Sequence, residues 1–238
     1  MSLVSFVSTA ACQIYNNLNN LRSSRPVPQG APPEVQEIVQ RASLRYTDIS
    51  DHLLTLFAEA VSVRPRLIVE LGVRGGESTF AFERAAKLSG AHVLSVDLED
   101  CKVQSSYPKW TFVKQNDITF ASQFPEWCSS HQLSPEIDVL FIDTSHVYDH
   151  TLEELRLWMP YLSARSKMIL HDTNMKLFYR RADRSLGLGW NNDRGVIRAL
   201  EETLGVKFNE AEDFVTVSGG WLIRHWAHCN GLTVLEKL

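Results

Sequence analysis

The sequence predicts an α/β protein with a doubly wound, mostly parallel sheet, preceded by a helical segment and followed by an antiparallel hairpin. Two observations support this prediction. Short apolar runs alternate with stretches of helical periodicity, which is typical of repeated βα units around a buried parallel sheet. Several apolar runs also end in charged or glycine-rich residues, as strands do where a parallel sheet binds a ligand. We therefore expect one layered domain with a site at one edge of its sheet.

Five apolar runs predict the parallel strands, at residues 67–71, 93–96, 112–113, 139–142 and 168–170. Crossover helices are expected at 78–88, near 120–128, at 151–161 and at 196–204. The runs 214–217 and 221–224 flank a Ser-Gly-Gly turn and predict the hairpin. These elements make up a Rossmann-like domain over residues 64–238.

Residues 1–63 are expected to form an N-terminal helical appendage and a linker. Apolar positions recur at helical spacing from Leu3 to Leu21, four prolines interrupt residues 25–33, and residues 33–63 again fit helices. The first helix lacks a preceding basic region, so a cytoplasmic protein is expected rather than a secreted one. Its apolar face needs a partner surface, which is either its own domain or the second subunit of a homodimer, and not a membrane.

Composition and charge exclude several classes of protein. The chain has 238 residues, a hydrophobic fraction of 44% and a formal net charge of -4, all typical of a soluble globular domain. Its lysines and arginines are scattered, so nucleic acid is not an expected partner. The four cysteines lie far apart and form no zinc-binding spacing, which predicts free thiols.

The first predicted strand runs into a glycine-rich turn that contains Glu70, Gly72, Gly75 and Ser78. Glycines let a ligand approach the backbone closely. No lysine follows Gly76, which disfavours a P-loop, and the second glycine of the GxGxxG dinucleotide fingerprint is missing. The turn therefore predicts a ligand site that does not bind a nucleoside triphosphate, and it disfavours NAD as the ligand without excluding it.

Acidic residues follow the second and third strands. Asp97 ends the second strand, 25 positions after Gly72, where a carboxylate can accept hydrogen bonds from both hydroxyls of a ribose. Asp117 follows the third strand and could cap the next helix. Asp97 favours an adenosyl cofactor without choosing its type.

The ends of the fourth and fifth strands carry the remaining ionisable residues. Asp143 ends the fourth strand and His146 follows three positions later, while His171 and Asp172 end the fifth strand. Asp143, His171 and Asp172 could together supply three ligands to a divalent ion, leaving positions for substrate oxygens. His171 has an alternative role, a structural hydrogen bond below a substrate pocket.

The spacing ExGxxxGxS over residues 70–78 resembles the first motif of class I S-adenosylmethionine-dependent methyltransferases. From about Leu67 to Arg224 the chain resembles the metal-dependent small-molecule O-methyltransferases typified by macrocin and mycinamicin sugar methyltransferases and by cephalosporin-hydroxylase-like proteins. The resemblance implies S-adenosylmethionine held by Glu70, Gly72, Gly75, Ser78, Asp97, Asp117 and Asp143. It also implies magnesium on Asp143 and Asp172, with His146 as the catalytic base.

One position departs from this family, because His171 stands where the family usually has Glu or Asp. Imidazole suits manganese, iron or zinc better than magnesium, so the identity of the metal stays open. We expect transfer of a methyl group to a hydroxyl of a small-molecule acceptor, covered by residues 180–194 with Trp190. The alternatives are a metal-independent methyltransferase that uses His146, an NAD-linked oxidoreductase, and a non-catalytic cofactor-binding partner.

Overall fold

The computed structural model describes residues 3–18, 27, 29–45 and 47–238. Its centre is an eight-stranded sheet with the strand order β3-β2-β1-β4-β5-β10-β9-β8. The strands of this sheet are β1 (Leu67–Leu71), β2 (His92–Asp97), β3 (Trp110–Lys114), β4 (Ile137–Ile142), β5 (Leu162–His171), β8 (Phe214–Ser218), β9 (Trp221–Trp226) and β10 (Leu232–Lys237). A separate two-stranded sheet pairs β6 (Phe178–Arg180) with β7 (Leu186–Leu188).

The strand directions confirm the predicted fold class. Strands β1 to β5 are parallel, and β8 and β9 form the predicted antiparallel hairpin at one edge. Strand β10, which the sequence analysis missed, lies between β5 and β9 and is antiparallel to both. Strand β10 has the sequence LTVLEK and is buried over its first four residues, so its short apolar run was a signal that the sequence analysis overlooked.

The eight described helices are α1 (Leu3–Leu18), α2 (Pro33–Leu44), α3 (Leu53–Ser62), α4 (Glu77–Ser89), α5 (Asp117–Ala121), α6 (Phe124–Ser130), α7 (Tyr148–Trp158) and α8 (Gly195–Leu204). Single 3-10 turns, Ser50–His52 and Met159–Tyr161, precede α3 and follow α7.

Three predictions of local structure are corrected by these bounds. The single helix expected near 120–128 is two helices, because α6 has a proline in its first turn and starts anew there. The helix expected at 151–161 begins earlier, at Tyr148, and ends as a 3-10 turn around a proline. The covering segment 180–194 is not only loop, since β7 lies within it.

Helices cover both faces of the sheet and bury two hydrophobic clusters. One face packs Phe124, Trp158 and Leu200 from α6, α7 and α8 against the strands. The other face packs α2, α3 and α4, and its cluster includes Leu56 and Phe82. The predicted domain boundary after residue 63 therefore falls inside this second cluster, because α2 and α3 share their core with β1.

Helix α1 contacts the small sheet. The side chain of Asn16 donates to the carbonyl of Leu186 at 3.1 Å and accepts from its amide at 2.8 Å. This contact agrees with packing of the helix on its own chain, and the homodimer stays a prediction. Residues 19–26 and 28, which include Arg25, Pro26 and Pro28 of the predicted linker, lie outside the described residues. Among the described helices, none combines the length and apolarity that a bilayer crossing requires.

Candidate active site

The glycine turn after β1 brings the ends of two strands into contact. Gly72 has a φ of +89° and donates its amide to the carbonyl of Val96 at 2.9 Å. A Cβ atom at Gly72 would lie 2.1 Å from the carbonyl oxygen of Asp143, which follows β4. Only glycine fits here, because both the left-handed backbone and the neighbouring carbonyl exclude a side chain. The glycine turn therefore packs directly against Asp143, the residue that follows β4.

Glu70 lies beneath this turn, fully buried. It accepts hydrogen bonds from the hydroxyls of Ser78 at 2.6 Å, Thr79 at 2.8 Å and Ser95 at 2.5 Å. Burial raises the pKa of Glu70 to about 7, although the three hydroxyls oppose this rise. Glu70 and Ser78 were predicted as cofactor-binding residues, and the structure places them as internal supports of the turn. A Cβ at Gly75, by contrast, would have open space around it.

Asp97 orients the backbone of the same turn. Its Oδ2 accepts from the amides of Val73 at 2.7 Å and Arg74 at 3.0 Å, and its Oδ1 accepts from the amide of Glu99 at 2.8 Å. Each carboxylate oxygen has two acceptor positions, so Oδ2 is filled and Oδ1 keeps one position for a ligand hydroxyl.

Five predicted site residues line one cavity of about 310 Å³ at the carboxyl ends of the strands. They are Gly72, Asp97, Asp117, Asp143 and His146. The cavity thus extends along the rim of the sheet from the ends of β2 and β3 to the end of β4, which is where parallel sheets bind ligands.

At one end of the cavity, Asp117 begins α5 and faces two residues of α7 that the sequence analysis missed. His150 Nε2 lies 3.3 Å from Asp117 Oδ1 and 3.7 Å from Glu154 Oε1. The N-cap of α5 is Asn116, whose side chain accepts from the amide of Thr119, so Asp117 is not the cap. The signal for this group was the i, i+4 spacing of His150 and Glu154, with Glu154 on the buried face of its helix.

At the other end, Asp143, His146 and Asp172 form what we call the acid–histidine cluster. His146 Nδ1 lies 3.1 Å from Asp172 Oδ2 and 3.9 Å from Asp143 Oδ1. His146 and Asp172 both have left-handed backbones, with φ values of 59° and 57°. Such conformations cost of order 1–3 kcal/mol in non-glycine residues and concentrate at functional sites. The contact between these two side chains therefore depends on two backbone conformations that are unfavourable for residues other than glycine.

His171 lies below this cluster, with 1% of its surface exposed. Its Nδ1 is 3.2 Å from Asp143 Oδ1 and its Nε2 is 3.2 Å from the carbonyl oxygen of Cys229. Burial would lower the pKa of His171, but the charges of Asp172 and Asp143 outweigh it and raise the pKa well above its usual value. The structure therefore gives His171 the geometry of a buried counter-charge to the two carboxylates.

The acid–histidine cluster fits a divalent cation. One ligand atom from each of its three residues lies within 4.8 Å of the other two. Asp172 Oδ1 is buried without a hydrogen-bond partner among the described residues. Burial raises the pKa of Asp172, but the charge of His171 outweighs it and lowers that pKa below its usual value. The two carboxylates suit magnesium or manganese, and the imidazole favours manganese or another first-row transition metal. The histidine of this geometric group is His146, whereas the predicted group contained His171.

The segment after β7 covers the acid–histidine cluster. The Trp190 ring lies 6.1 Å from the His146 ring and is 45% exposed, and Asn192 Nδ2 donates to the carbonyl of Asp172 at 3.2 Å. Gly195 begins α8 where a Cβ would lie 2.4 Å from the carbonyl oxygen of His146. This close contact fixes the loop that carries His146, and the exposed indole lies beside the imidazole.

The fold and the site together define a Rossmann-like protein with a nucleoside-sized cavity that leads to an acid–histidine cluster. Residues 69–173 match the family model Methyltransf_24, which describes a methyltransferase domain. This part of the chain is therefore a methyltransferase domain, as the resemblance to class I enzymes implied, and it contains every residue of the predicted site. No curated protein matches the chain.

Solved structures share the fold at low sequence identity. An O-methyltransferase from Bacillus cereus in complex with SAH has a TM-score of 0.53 and 16% identity, covering 96% of this chain and 98% of that one. TomG from Streptomyces achromogenes, an O-methyltransferase in complex with SAM, has a TM-score of 0.53, 11% identity and 96% coverage of both chains. MycE from the mycinamycin biosynthetic pathway, in complex with Mg, SAH and mycinamycin VI, has a TM-score of 0.54 and 14% identity, covering 86% and 54%.

Proposed function

We propose that the protein transfers a methyl group from S-adenosylmethionine to a hydroxyl of a small molecule. The observation that carries the proposal is the single cavity that joins the glycine turn and Asp97 to the acid–histidine cluster. A cofactor that spans this cavity would have its ribose at one end and its reactive sulfonium beside acid and base groups. The structures of TomG and of the Bacillus cereus enzyme, which contain SAM and SAH, agree with this choice of cofactor.

The residues of the chain define how the cofactor would be held. Gly72 lines the cavity where the methionine part would lie, and Asp97, already fixed by three backbone amides, would accept a hydrogen bond from a ribose hydroxyl through Oδ1. Asp143 follows β4 at the point where the glycine turn contacts it, so the sulfonium would lie next to the Asp143 carboxylate. Because these groups are fixed by the fold, little reorganisation is needed when the cofactor binds.

We assign His146 the role of general base. Asp172 lies 3.1 Å from Nδ1 of His146 and can hold the imidazole in the tautomer that leaves Nε2 free to accept the hydroxyl proton. The proton would then rest on Nε2 while the acceptor oxygen attacks the methyl carbon in line with the leaving sulfur. General-base catalysis of this type contributes about 10²- to 10⁴-fold to the rate.

Asp143 and Asp172 are the residues that would hold a magnesium or manganese ion, with His171 as a charge partner below them. Bound there, such an ion would supply Lewis acidity that lowers the pKa of the acceptor hydroxyl and orients it. The Mg in the MycE structure agrees with this assignment. A metal-independent reaction is the second candidate, because the His146–Asp172 pair can activate a hydroxyl without a cation.

Calorimetric titration with S-adenosylmethionine, S-adenosylhomocysteine and NAD tests the proposal directly. We expect the two sulfur compounds to bind and NAD to show no heat of binding. Transfer of a labelled methyl group to a panel of glycosides and polyketide alcohols then identifies the acceptor. Loss of transfer after EDTA and recovery with magnesium or manganese supports the metal, and EDTA-resistant transfer supports the second candidate. Absence of affinity for both sulfur compounds contradicts the proposed function.

A further inference from the structure

A second cavity, of about 400 Å³, lies at the same rim of the sheet as the candidate active site. The segment after β5, strand β6 and the ends of β9 and β8 that face this rim contribute Asn174, Arg180, Ala227 and Asp213 to its wall. None of the residues so far assigned to the cofactor, the cation or the base lines this second cavity. It is large enough to hold part of a small-molecule ligand.

The acid–histidine cluster lies between the two cavities. In the order of the strands, the cofactor cavity is formed at the ends of β1, β2 and β4, and the second cavity adjoins β5, β9 and β8. Asp143 and Asp172 follow β4 and β5, at the boundary between these two groups of strands. Methyl transfer is an in-line displacement, so the acceptor oxygen must be aligned opposite the leaving sulfur. An acceptor aligned in this way extends away from the cofactor, which along this rim is toward the second cavity.

The backbone connects the second cavity closely to the acid–histidine cluster. Asn174 lines the cavity and is two residues after Asp172, so their Cα atoms are about 7 Å apart or less. Gly189 packs on Lys176, and a Cβ atom at Gly189 would lie 2.6 Å from the carbonyl oxygen of Lys176. The next residue, Trp190, carries the indole that lies beside the candidate base. The second cavity therefore adjoins the place where the acceptor hydroxyl would be activated.

The lining of the second cavity carries an excess of positive charge. It contains the side chains of Lys176, Arg180 and Arg181 and one carboxylate, that of Asp213. Asp213 Oδ1 already accepts a hydrogen bond from the amide of Ala227 at 2.7 Å. Lys176 and Arg180 are exposed and form no ion pair with any described residue, so their charges are available to a ligand. Like charges gathered in a concave surface attract an ion of the opposite sign.

Hydrogen bonds hold the backbone of β6 beside the second cavity. Along this strand the buried ring of Tyr179 separates the exposed side chains of Phe178 and Arg180, as expected where one face is covered. The carbonyl of Arg180 accepts from the amide of Cys229 at 2.9 Å, and the guanidinium of Arg181 donates to the hydroxyl of Tyr179 at 3.0 Å. The strand is therefore ordered before a ligand binds. The Arg180 guanidinium offers a planar fork of donors that matches two oxygens of a phosphate or a carboxylate.

We propose that the second cavity binds an anionic group of the methyl acceptor, a phosphate or a carboxylate, through Lys176 and Arg180. This inference rests on the proposed function and narrows its acceptor to hydroxylated molecules that carry a negative charge close to the reacting hydroxyl. Charge-assisted hydrogen bonds to such a group change affinity by about 10- to 100-fold. The two residues bind the acceptor away from the reacting atoms, so they should act on KM and leave kcat nearly unchanged.

Labelled methyl transfer to matched pairs of acceptors tests the inference. One pair compares hexose 1-phosphates with the corresponding methyl hexosides, and the other compares dihydroxybenzoates with their methyl esters. The anionic member of a pair should have a KM about 10- to 100-fold lower than that of the neutral member, at a similar kcat. A preference within the first pair identifies phosphate as the anion, and a preference within the second identifies carboxylate.

Variants of the two cationic residues locate this preference. Lys176→Gln and Arg180→Gln should each raise the KM of the anionic acceptor about tenfold and leave the KM of its neutral partner within about twofold, because each removes one charged contact. Arg180→Lys restores the charge without the fork and should recover part of the affinity. Lys237→Gln is the matched control, since it removes an exposed lysine where β10 ends, opposite this rim. Circular dichroism during thermal unfolding checks that each variant folds.

Calorimetry supplies a readout that needs no turnover. Pyrophosphate and benzoate are titrated into the complex of the protein with S-adenosylhomocysteine. At least one of the two anions should bind to the unmodified protein and to Lys237→Gln, and neither should bind to the double variant Lys176→Gln/Arg180→Gln. If no member of the acceptor panel is methylated, this titration alone decides the inference.

Three results would overturn the inference. Equal KM values within both acceptor pairs reject an anionic acceptor, even when pyrophosphate binds. A preference that survives in the double variant places the anion outside the second cavity. Absence of binding of both anions to the unmodified protein removes the anion site. In each case the proposed function stands as long as S-adenosylhomocysteine binds, whereas a protein without affinity for either sulfur compound contradicts the proposed function itself.

Discussion

The glycine-turn side and the acid–histidine side of the cavity differ in how many of their buried polar atoms have hydrogen-bond partners. Around Glu70 and Asp97 the buried polar atoms have partners within the protein, three hydroxyls for one carboxylate and three backbone amides for the other. Around Asp172, by contrast, two buried oxygens, Asp172 Oδ1 and Asn192 Oδ1, have no hydrogen-bond partner among the described residues, and the nearest charged group to Asp172 Oδ1 is His171 Nδ1 at 3.5 Å.

The difference indicates how the two sides acquire their geometry. A carboxylate whose hydrogen bonds come from its own fold is positioned before any ligand arrives, which favours tight, uniform binding. Buried polar atoms without hydrogen bonds cost stability and persist where a ligand or the chemistry uses them. The cofactor side is therefore built for rigidity, and the acid–histidine side for reactivity. Changes on one side should separate binding from turnover if this division is correct.

The largest expected effect is on turnover, from His146→Ala. Loss of the general base should lower kcat about 10²- to 10⁴-fold, while affinity for S-adenosylhomocysteine stays within about threefold because His146 lies outside the turn. Single-turnover methyl transfer and calorimetry on the same sample give both numbers. If affinity falls as far as turnover does, the two sides are not separable, and unchanged turnover removes His146 from the mechanism.

A smaller effect, on stability, is expected from Gly72→Ala, which disrupts the contact between the glycine turn and Asp143. The added Cβ would meet the Asp143 carbonyl at 2.1 Å and force a left-handed alanine, costing about 3–5 kcal/mol of unfolding free energy. Gly75→Ala is the matched control, since a Cβ there meets no atom within 4 Å. Urea unfolding compares the two variants, and equal stabilities would contradict the close approach of the strands.

The smallest expected effect concerns the pH dependence of stability and Glu70. Its pKa is raised by burial from 4.5 to about 7 in the folded protein, so the folded state keeps a proton that the unfolded chain releases. Unfolding free energy should therefore fall as pH rises from about 4.5 to 7 and level off above that, by about 3 kcal/mol in total.

Glu70→Gln removes this titration and sharpens the comparison. Its stability relative to the unmodified protein should improve by up to about 3 kcal/mol between pH 5 and pH 8, as measured by urea unfolding at both values. Asp138→Asn is the reference variant, because Asp138 lies near the amino end of β4, at the edge of the sheet opposite the cavity. There Arg66 and other hydrogen bonds outweigh burial and lower the pKa of Asp138, so its contribution should be constant across this range. A flat difference for Glu70→Gln would show that the hydroxyl hydrogen bonds outweigh burial.

Most of the site rim was predictable because parallel strands place their carboxyl ends at one edge. This rule brought Asp97, Asp117, Asp143 and His146 to one cavity, as the structure has them. It could not place His171, since adjacent positions at a strand end, here His171 and Asp172, point to opposite sides and the sequence does not mark which one faces the cavity. His150 and Glu154 were missed because their partner, Asp117, is distant in sequence and meets them only through the packing of α5 on α7.

The sequence by itself determined the βα repeat, the glycine turn and the set of acidic strand ends. The spacing of apolar residues and the steric limits of the backbone act over only a few residues. Only the tertiary structure decided which groups meet. It inserted β10 between β5 and β9, placed His146 at the cavity and His171 buried behind the same carboxylates, and brought Asp117 of α5 beside His150 and Glu154 of α7. Those outcomes depend on strand pairing and on charges brought together from distant positions, and neither is encoded in any local window of the chain.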